Sequence, residues 1–87
     1  IMGQTLNMVV ASSPVALITG ADGFVGRHLA RELEISGLSP FGIDISARQK
    51  NADVFPDSRW ATCDITSSAD ISRIIRNIAP AVVFHLA

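Results

Sequence analysis

Val15-Ala16-Leu17-Ile18-Thr19-Gly20-Ala21-Asp22-Gly23-Phe24-Val25-Gly26 is an apolar run that breaks into spaced glycines. The run has the length and composition of a strand buried on both faces. The residues that follow carry apolar side chains at helical spacing, so the glycines stand at a strand-to-helix turn. Glycines at such a turn let the backbone approach a pyrophosphate, which rests on the unpaired N–H groups of the helix N-terminus. The spacing here, Gly20-x-x-Gly23-x-x-Gly26, differs from the commoner Gly-x-Gly-x-x-Gly. Its place between a strand and a helix favours dinucleotide binding over an ordinary turn.

Working outward, Val25, Leu29 and Leu33 recur every four residues between Phe24 and Ser36, with Arg27, Arg31 and Glu32 off that line. This predicts an amphipathic helix that Gly37 is placed to end. Phe41-Gly42-Ile43-Asp44-Ile45 predicts a second strand just after Pro40. Residues 46–58 are mixed and polar, with Pro56 and Asp57 as turn formers and a short helix over Ser46–Asn51 as an option. Trp60-Ala61-Thr62-Cys63 predicts a third strand that ends at Asp64. Ser67 is placed to cap a helix, with Asp70 as its capping-box partner. Ile71, Ile74, Ile75 and Ile78 then form the clearest helical stripe, and Pro80 stops it. Ala81-Val82-Val83-Phe84-His85-Leu86 reads as a fourth buried strand.

Strands alternating with helices make an α/β pattern with a parallel sheet. Right-handed crossovers order the strands 3-2-1-4 and put the two helices on opposite faces. A crevice then opens between strands 1 and 4, at the carboxyl ends where the glycine turn sits.

Composition narrows the possibilities. At 87 residues the chain is one domain or part of one. A chain of this size buries only about 60–65% of its unfolded surface, so its margin of stability is thin. With 48% hydrophobic and 17% charged residues it is too apolar for disorder. A net charge of −1 gives no electrostatic footprint for nucleic acid or an acidic membrane. No run is apolar and long enough to span a bilayer. Cys63 is the sole cysteine, which suits a reducing, cytoplasmic setting. Neither His28 nor His85 stands at a zinc-finger spacing from it, so no metal is expected. Residues 1–13 are uncharged and lack the basic stretch of a secretory signal, and read as a disordered lead-in or an artificial remnant.

Asp44 ends the second strand about 20 residues after the glycine turn, where a carboxylate accepts from adenosine ribose hydroxyls. The same charge repels a 2′-phosphate and favours NAD over NADP, although Arg48 nearby could accommodate that phosphate. The other reading of Asp44 is a solvated strand-end carboxylate. Asp64, followed by Ile65, ends the third strand at the same edge of the sheet. A carboxylate there can accept from an adenine amino group while the Ile65 N–H donates to a ring nitrogen. Alternatively, Asp64 only helps to cap the next helix. His85 reads as a packed, hydrogen-bonded core histidine rather than a base, and Cys63 as a small buried residue. Arg73 and Arg76 read as a solvated helix face.

Thr19 to Gly26 resembles the cofactor turn of the extended short-chain dehydrogenases/reductases, the NAD-dependent epimerases and dehydratases of nucleotide sugars. Asp64-Ile65 is similar to that family's adenine-side pair, and Pro80 to Ala87 to its fourth strand with a His-Leu-Ala ending. The resemblance covers residues 14–87 and implies the N-terminal part of a Rossmann fold. It implies that the Phe24 and Val25 N–H groups face the pyrophosphate and that Asp44 holds the ribose. Asp64 and Ile65 would hold the adenine, and Leu86 and Ala87 would line the adenosine side. The family's catalytic Ser/Thr and Tyr-x-x-x-Lys lie beyond strand 4, and these 87 residues contain no tyrosine at all. The resemblance therefore implies the cofactor-binding portion of a parent enzyme that works by hydride transfer on a nucleotide sugar, often as a dimer. The alternative is a non-catalytic nucleotide-binding module that stands alone or depends on a partner.

Overall fold

A computed structural model describes residues 13–45 and 51–86. Residues 1–12 of the lead-in over residues 1–13, residues 46–50 of the optional helix over Ser46–Asn51 (Arg48 among them) and Ala87 lie outside the described residues. The elements run β1 (Val15–Thr19), α1 (Phe24–Ile35), β2 (Ser39–Asp44), β3 (Trp60–Thr62), α2 (Ser68–Ile78) and β4 (Val82–His85). A short 3-10 turn over Asp57–Arg59 leads into β3. All strand pairs are parallel and the sheet order is β3-β2-β1-β4, as the crossover rule requires.

Alternation along β1 divides the core. Ala16 and Ile18 face α1, where they join Ala21, Ala30 and Leu33. Leu17 faces the other way, joining Ile43 and Cys63 under Ile71, Ile74 and Ile78 of α2. β1 is thus buried on both sides, as its unbroken apolar run predicts.

Several expectations need correction. In α1 the buried line is Gly26, Ala30 and Leu33, while Val25 is 60% exposed. The reason is steric: a Cβ on Gly26 would stand 2.4 Å from the Ala21 carbonyl oxygen, so the face with the smallest side chain packs on the turn. At α2, Ser67 is the N-cap but makes no side-chain cap bond. Its own N–H already donates to the Asp64 carbonyl at 3.0 Å, and Asp70 accepts from Arg73 instead. β4 is only half-buried, with Val83 46% exposed, because it lies at the sheet edge and nothing described covers its outer side. His85, at its end, is accordingly exposed rather than in the core, though its Nδ1 and the Thr19 hydroxyl are 2.7 Å apart.

β2 starts two residues earlier than its apolar pattern suggests and includes the buried Pro40. Ser39 donates to Pro14 on the β1 side, so in a parallel strand the next nitrogen, that of Pro40, faces β3. Pairing with β3 begins only at Gly42↔Trp60, so no donor is required at Pro40.

The polar stretch before β3 supplies what no periodicity shows. Val54 and Phe55 both donate to the Asn51 carbonyl, at 3.1 and 3.0 Å, and the resulting turn drives Phe55 into the core beside Ala21 and Ala30. Phe55 is fully buried and contributes about 2–3 kcal/mol by that burial. Trp60 packs beside it with ring centroids 5.3 Å apart. The indole fits because Gly42 presents no side chain; a Cβ there would lie 2.6 Å from the ring.

Candidate functional site at the glycine turn

The turn leaves β1 through Gly20, whose φ of +68° is a conformation that side chains disfavour. Ala21 N–H donates to the Ile43 carbonyl at 3.1 Å, tying the turn to the end of β2. Gly23 is the N-cap of α1 in extended conformation and offers no capping side chain. The first N–H within α1 to find a backbone partner is that of Arg27, which donates to the Gly23 carbonyl at 3.1 Å. Among the described residues nothing accepts from the N–H groups of Phe24, Val25 and Gly26. Open donors at a helix start attract an anion, aided by the helix dipole. A Cβ on Gly23 would have only the Gly20 carbonyl near it, at 4.0 Å, so the space over the turn is open.

Asp44 stands beside this turn. Its Oδ2 accepts from the Asp22 N–H at 2.9 Å and its Oδ1 from the Ile45 N–H at 2.7 Å. A carboxylate has about four acceptor sites, so Asp44 keeps capacity for further donors such as hydroxyls. Asp64 is organised differently. Its Oδ1 accepts from both the N–H and the hydroxyl of Thr66, at 2.9 and 2.7 Å. Those bonds, the backbone one foremost, hold its carboxyl below the usual range, so it is ionised and purely an acceptor at neutral pH.

Gly20, Asp44, Asp64 and Ile65 line one cavity of about 180 Å³ together with Ile45 and Cys63. Residues far apart in sequence thus converge at the carboxyl ends of β1, β2 and β3, where open α/β sheets bind ligands. Cys63 is buried, which pushes its thiol pKa up and leaves it in the inert protonated form. Leu86 stands apart from this cavity: its N–H donates to the Thr19 carbonyl at 3.1 Å, and it is exposed on the β4 side of the turn.

A second, wider opening of about 620 Å³ lies at the start of α1, lined by Gly23, Phe24, Arg27, Asn51 and Asp53. Phe24, 77% exposed, stacks edge-on against His28 at its rim. Arg27 engages both carboxylate oxygens of Asp53, and Arg31 adds a longer contact of 3.3 Å. The Arg27 pairing holds the Asp53 carboxyl down to about 2. Asp53 and Asn51 went unrecognised in the sequence, because single polar residues in a polar loop carry no periodic or motif signal. Asn51 is the more consequential. It is 2% exposed, and its Nδ2 donates to the carbonyls of Ala21 and Gly23, at 2.7 and 2.9 Å. Among the described residues no group of His, Cys, Asp and Glu could hold a metal ion, and no helix is long and apolar enough to cross a membrane.

Residues 16–87 match the model of the NAD dependent epimerase/dehydratase family. CDP-abequose synthase of Salmonella typhimurium is 33% identical over 48 residues, covering 55% of this chain and 16% of that protein. Among solved structures, the UDP-glucose 4-epimerase of Thermus thermophilus, in complex with NAD, superposes with a TM-score of 0.70 at 27% identity. That match covers 84% of this chain and 24% of the epimerase. The Bordetella bronchiseptica enzyme WbmG, in complex with NAD and UDP, gives 0.69 at 25% identity over 88% of this chain and 26% of its own. The chain therefore spans about a quarter of the length of these solved proteins.

Proposed function

We infer, from the premise that the chain belongs to the NAD dependent epimerase/dehydratase family, that residues 14–87 hold the adenosine diphosphate half of NAD in a larger enzyme. The observation that carries this is the convergence of Gly20, Asp44, Asp64 and Ile65 on one cavity, with Gly20 in the same turn that leads to the open amides of α1. The donor set fits the group. A pyrophosphate needs N–H donors and close backbone approach, and the turn offers Phe24 and Val25 amides with no Cβ on Gly23 in the way. Ribose hydroxyls need an acceptor, which Asp44 provides. The adenine edge needs one acceptor and one donor, provided by Asp64 and the Ile65 N–H. By the family resemblance, Leu86 and Ala87 would line the adenosine side from beyond the end of β4, outside the cavity that Asp44 and Asp64 line. Asp44 sets the preference for NAD over NADP, because its charge repels a 2′-phosphate.

Bound there, NAD would supply hydride transfer at a sugar carbon of a nucleotide sugar in the whole, cytoplasmic protein. The residues described here bind and orient; none is placed to move a proton to or from a substrate, and the chain contains no tyrosine for that purpose. Calorimetric titration of the chain with NAD, NADP and ADP tests the reading. NAD and ADP should bind, NADP more weakly, with no turnover by the 87 residues alone. Equal or tighter binding of NADP would remove the role given to Asp44, and no binding of NAD or ADP would remove the whole reading.

A further inference from the structure

Asn51 is a buried carboxamide that belongs to no motif, yet it contacts the glycine turn at three points. Its side-chain Nδ2 donates to the Ala21 and Gly23 carbonyls, and its backbone N–H reaches Asp22 Oδ1 at 3.3 Å. The turn it starts is held by its own carbonyl, through Val54 and Phe55, and does not depend on its side chain. Among the described residues, the side-chain bonds of Asn51 go to the glycine turn.

Peptide planarity gives these two carbonyl contacts a directional consequence. No peptide bond among the described residues is cis, so each C=O points opposite to the N–H of the next residue. Asn51 holds the Gly23 carbonyl together with the Arg27 N–H of α1, and this turns the Phe24 N–H away from Asn51, toward the open side of the helix start. Fixing the Ala21 carbonyl likewise aims the Asp22 N–H, which donates to Asp44 Oδ2. A single carboxamide thereby orients one amide that awaits an anion and another that steadies the carboxylate beside it. Glycine-rich turns have flexible peptide planes, and a plane that flips would present an oxygen, not an N–H, to a phosphate.

We propose that Asn51 is a positioning residue for pyrophosphate binding: by holding the Ala21 and Gly23 carbonyls it presets the N–H array of the turn. The proposal rests on the dinucleotide reading above and adds to it a residue that acts through the glycine turn. Pre-orientation of this kind raises affinity by removing the ordering cost at binding.

The test uses the full chain with Asn51→Ala and Asn51→Asp, the latter equal in shape but with an oxygen where the donor was. Calorimetry with ADP and NAD, and ligand-detected NMR with adenosine, are run beside urea unfolding. Both variants should fold and weaken ADP and NAD by about tenfold or more, the scale of a charge-assisted hydrogen bond lost. Adenosine, which lacks phosphate, should weaken by less than about threefold, since Asp44 retains the Ile45 N–H and Asp64 retains Thr66. Undiminished ADP affinity in a folded variant overturns the proposal. So does an equal loss for ADP and adenosine, or failure of both variants to fold, because either assigns Asn51 to the fold alone. Wild-type binding distinguishes the two levels: if the unaltered chain binds no ADP the dinucleotide reading fails, whereas ADP binding lost in Gly23→Val but kept in Asn51→Ala sinks only the positioning role.

Discussion

Gly26→Ala adds a single methyl group, and the structure fixes where it would go. The new Cβ would lie 2.4 Å from the Ala21 carbonyl oxygen, 2.8 Å from its carbon and 2.9 Å from its Cα. All three are backbone atoms, so no side-chain rotation relieves the contact. Restoring ordinary packing requires α1 and the turn to separate by about 1 Å, and overpacking of this kind costs about 1–3 kcal/mol. Alanine recovers about 1 kcal/mol of that through its higher helix propensity. The net expectation is a loss of about 0–2 kcal/mol, with the turn displaced from its bonds to Asn51 and Ile43. Gly23→Ala provides the control. Its Cβ would meet only the Gly20 carbonyl at 4.0 Å and its φ of −101° suits any residue, so stability should change by less than about 0.5 kcal/mol. Its methyl would instead occupy the space over the turn and weaken NAD by about tenfold or more. Urea melts followed by circular dichroism give the stability arm, and calorimetric titration the binding arm. A Gly26→Ala protein that melts with wild type and binds NAD fully would refute the packing argument; a Gly23→Ala protein that binds normally would refute the phosphate turn.

Acid stability should respond to Asp53. Its folded pKa of about 2 lies below its ordinary value of 3.8, so its contribution is complete above about pH 4 and is lost as pH falls through about 2. Asp53→Asn should flatten that part of the urea-midpoint profile, weakly and less so in high salt, since the ion pair is solvent-exposed. Superimposable profiles for the two proteins would sink this expectation. Cys63 should resist iodoacetamide in the native state at mildly alkaline pH and react promptly in urea, because burial keeps its thiol protonated. Mass spectrometry of timed aliquots decides it, and fast native alkylation would contradict the inert assignment.

The elements legible in the sequence are those whose signal is repetitive. Val15–Thr19 reads as doubly buried because every residue from Ala16 on is apolar or small, and the isoleucine stripe of α2 reads directly from its spacing. Crossover handedness then yields the sheet order, and the sheet order brings Asp44 and Asp64 to one cavity. What escapes is decided by individual contacts in three dimensions. Val25 fits the helical pattern, yet Gly26 faces the turn because only a missing Cβ fits there. Ser67 has the right identity for a cap, but the N–H that its capping-box partner Asp70 would accept from is already engaged by the Asp64 carbonyl. Phe55 and Asn51 sit among polar loop residues, and neither the burial of one nor the reach of the other into the glycine turn leaves a mark in local composition.

Pro40 has a further consequence for how the chain avoids mispairing. Parallel strands with one slot on either side can slip by two residues and keep every side chain on its proper face. Slippage of β3 toward the start of β2 would set a carbonyl opposite the Pro40 nitrogen, which has no hydrogen to give. The mismatched ladder would lose a bond at its first rung, whereas the native one begins at Gly42 with a full set of donors. Pro40 thus serves as a register stop, holding Thr62 opposite Asp44 so that Asp64, two residues further on, reaches the same cavity.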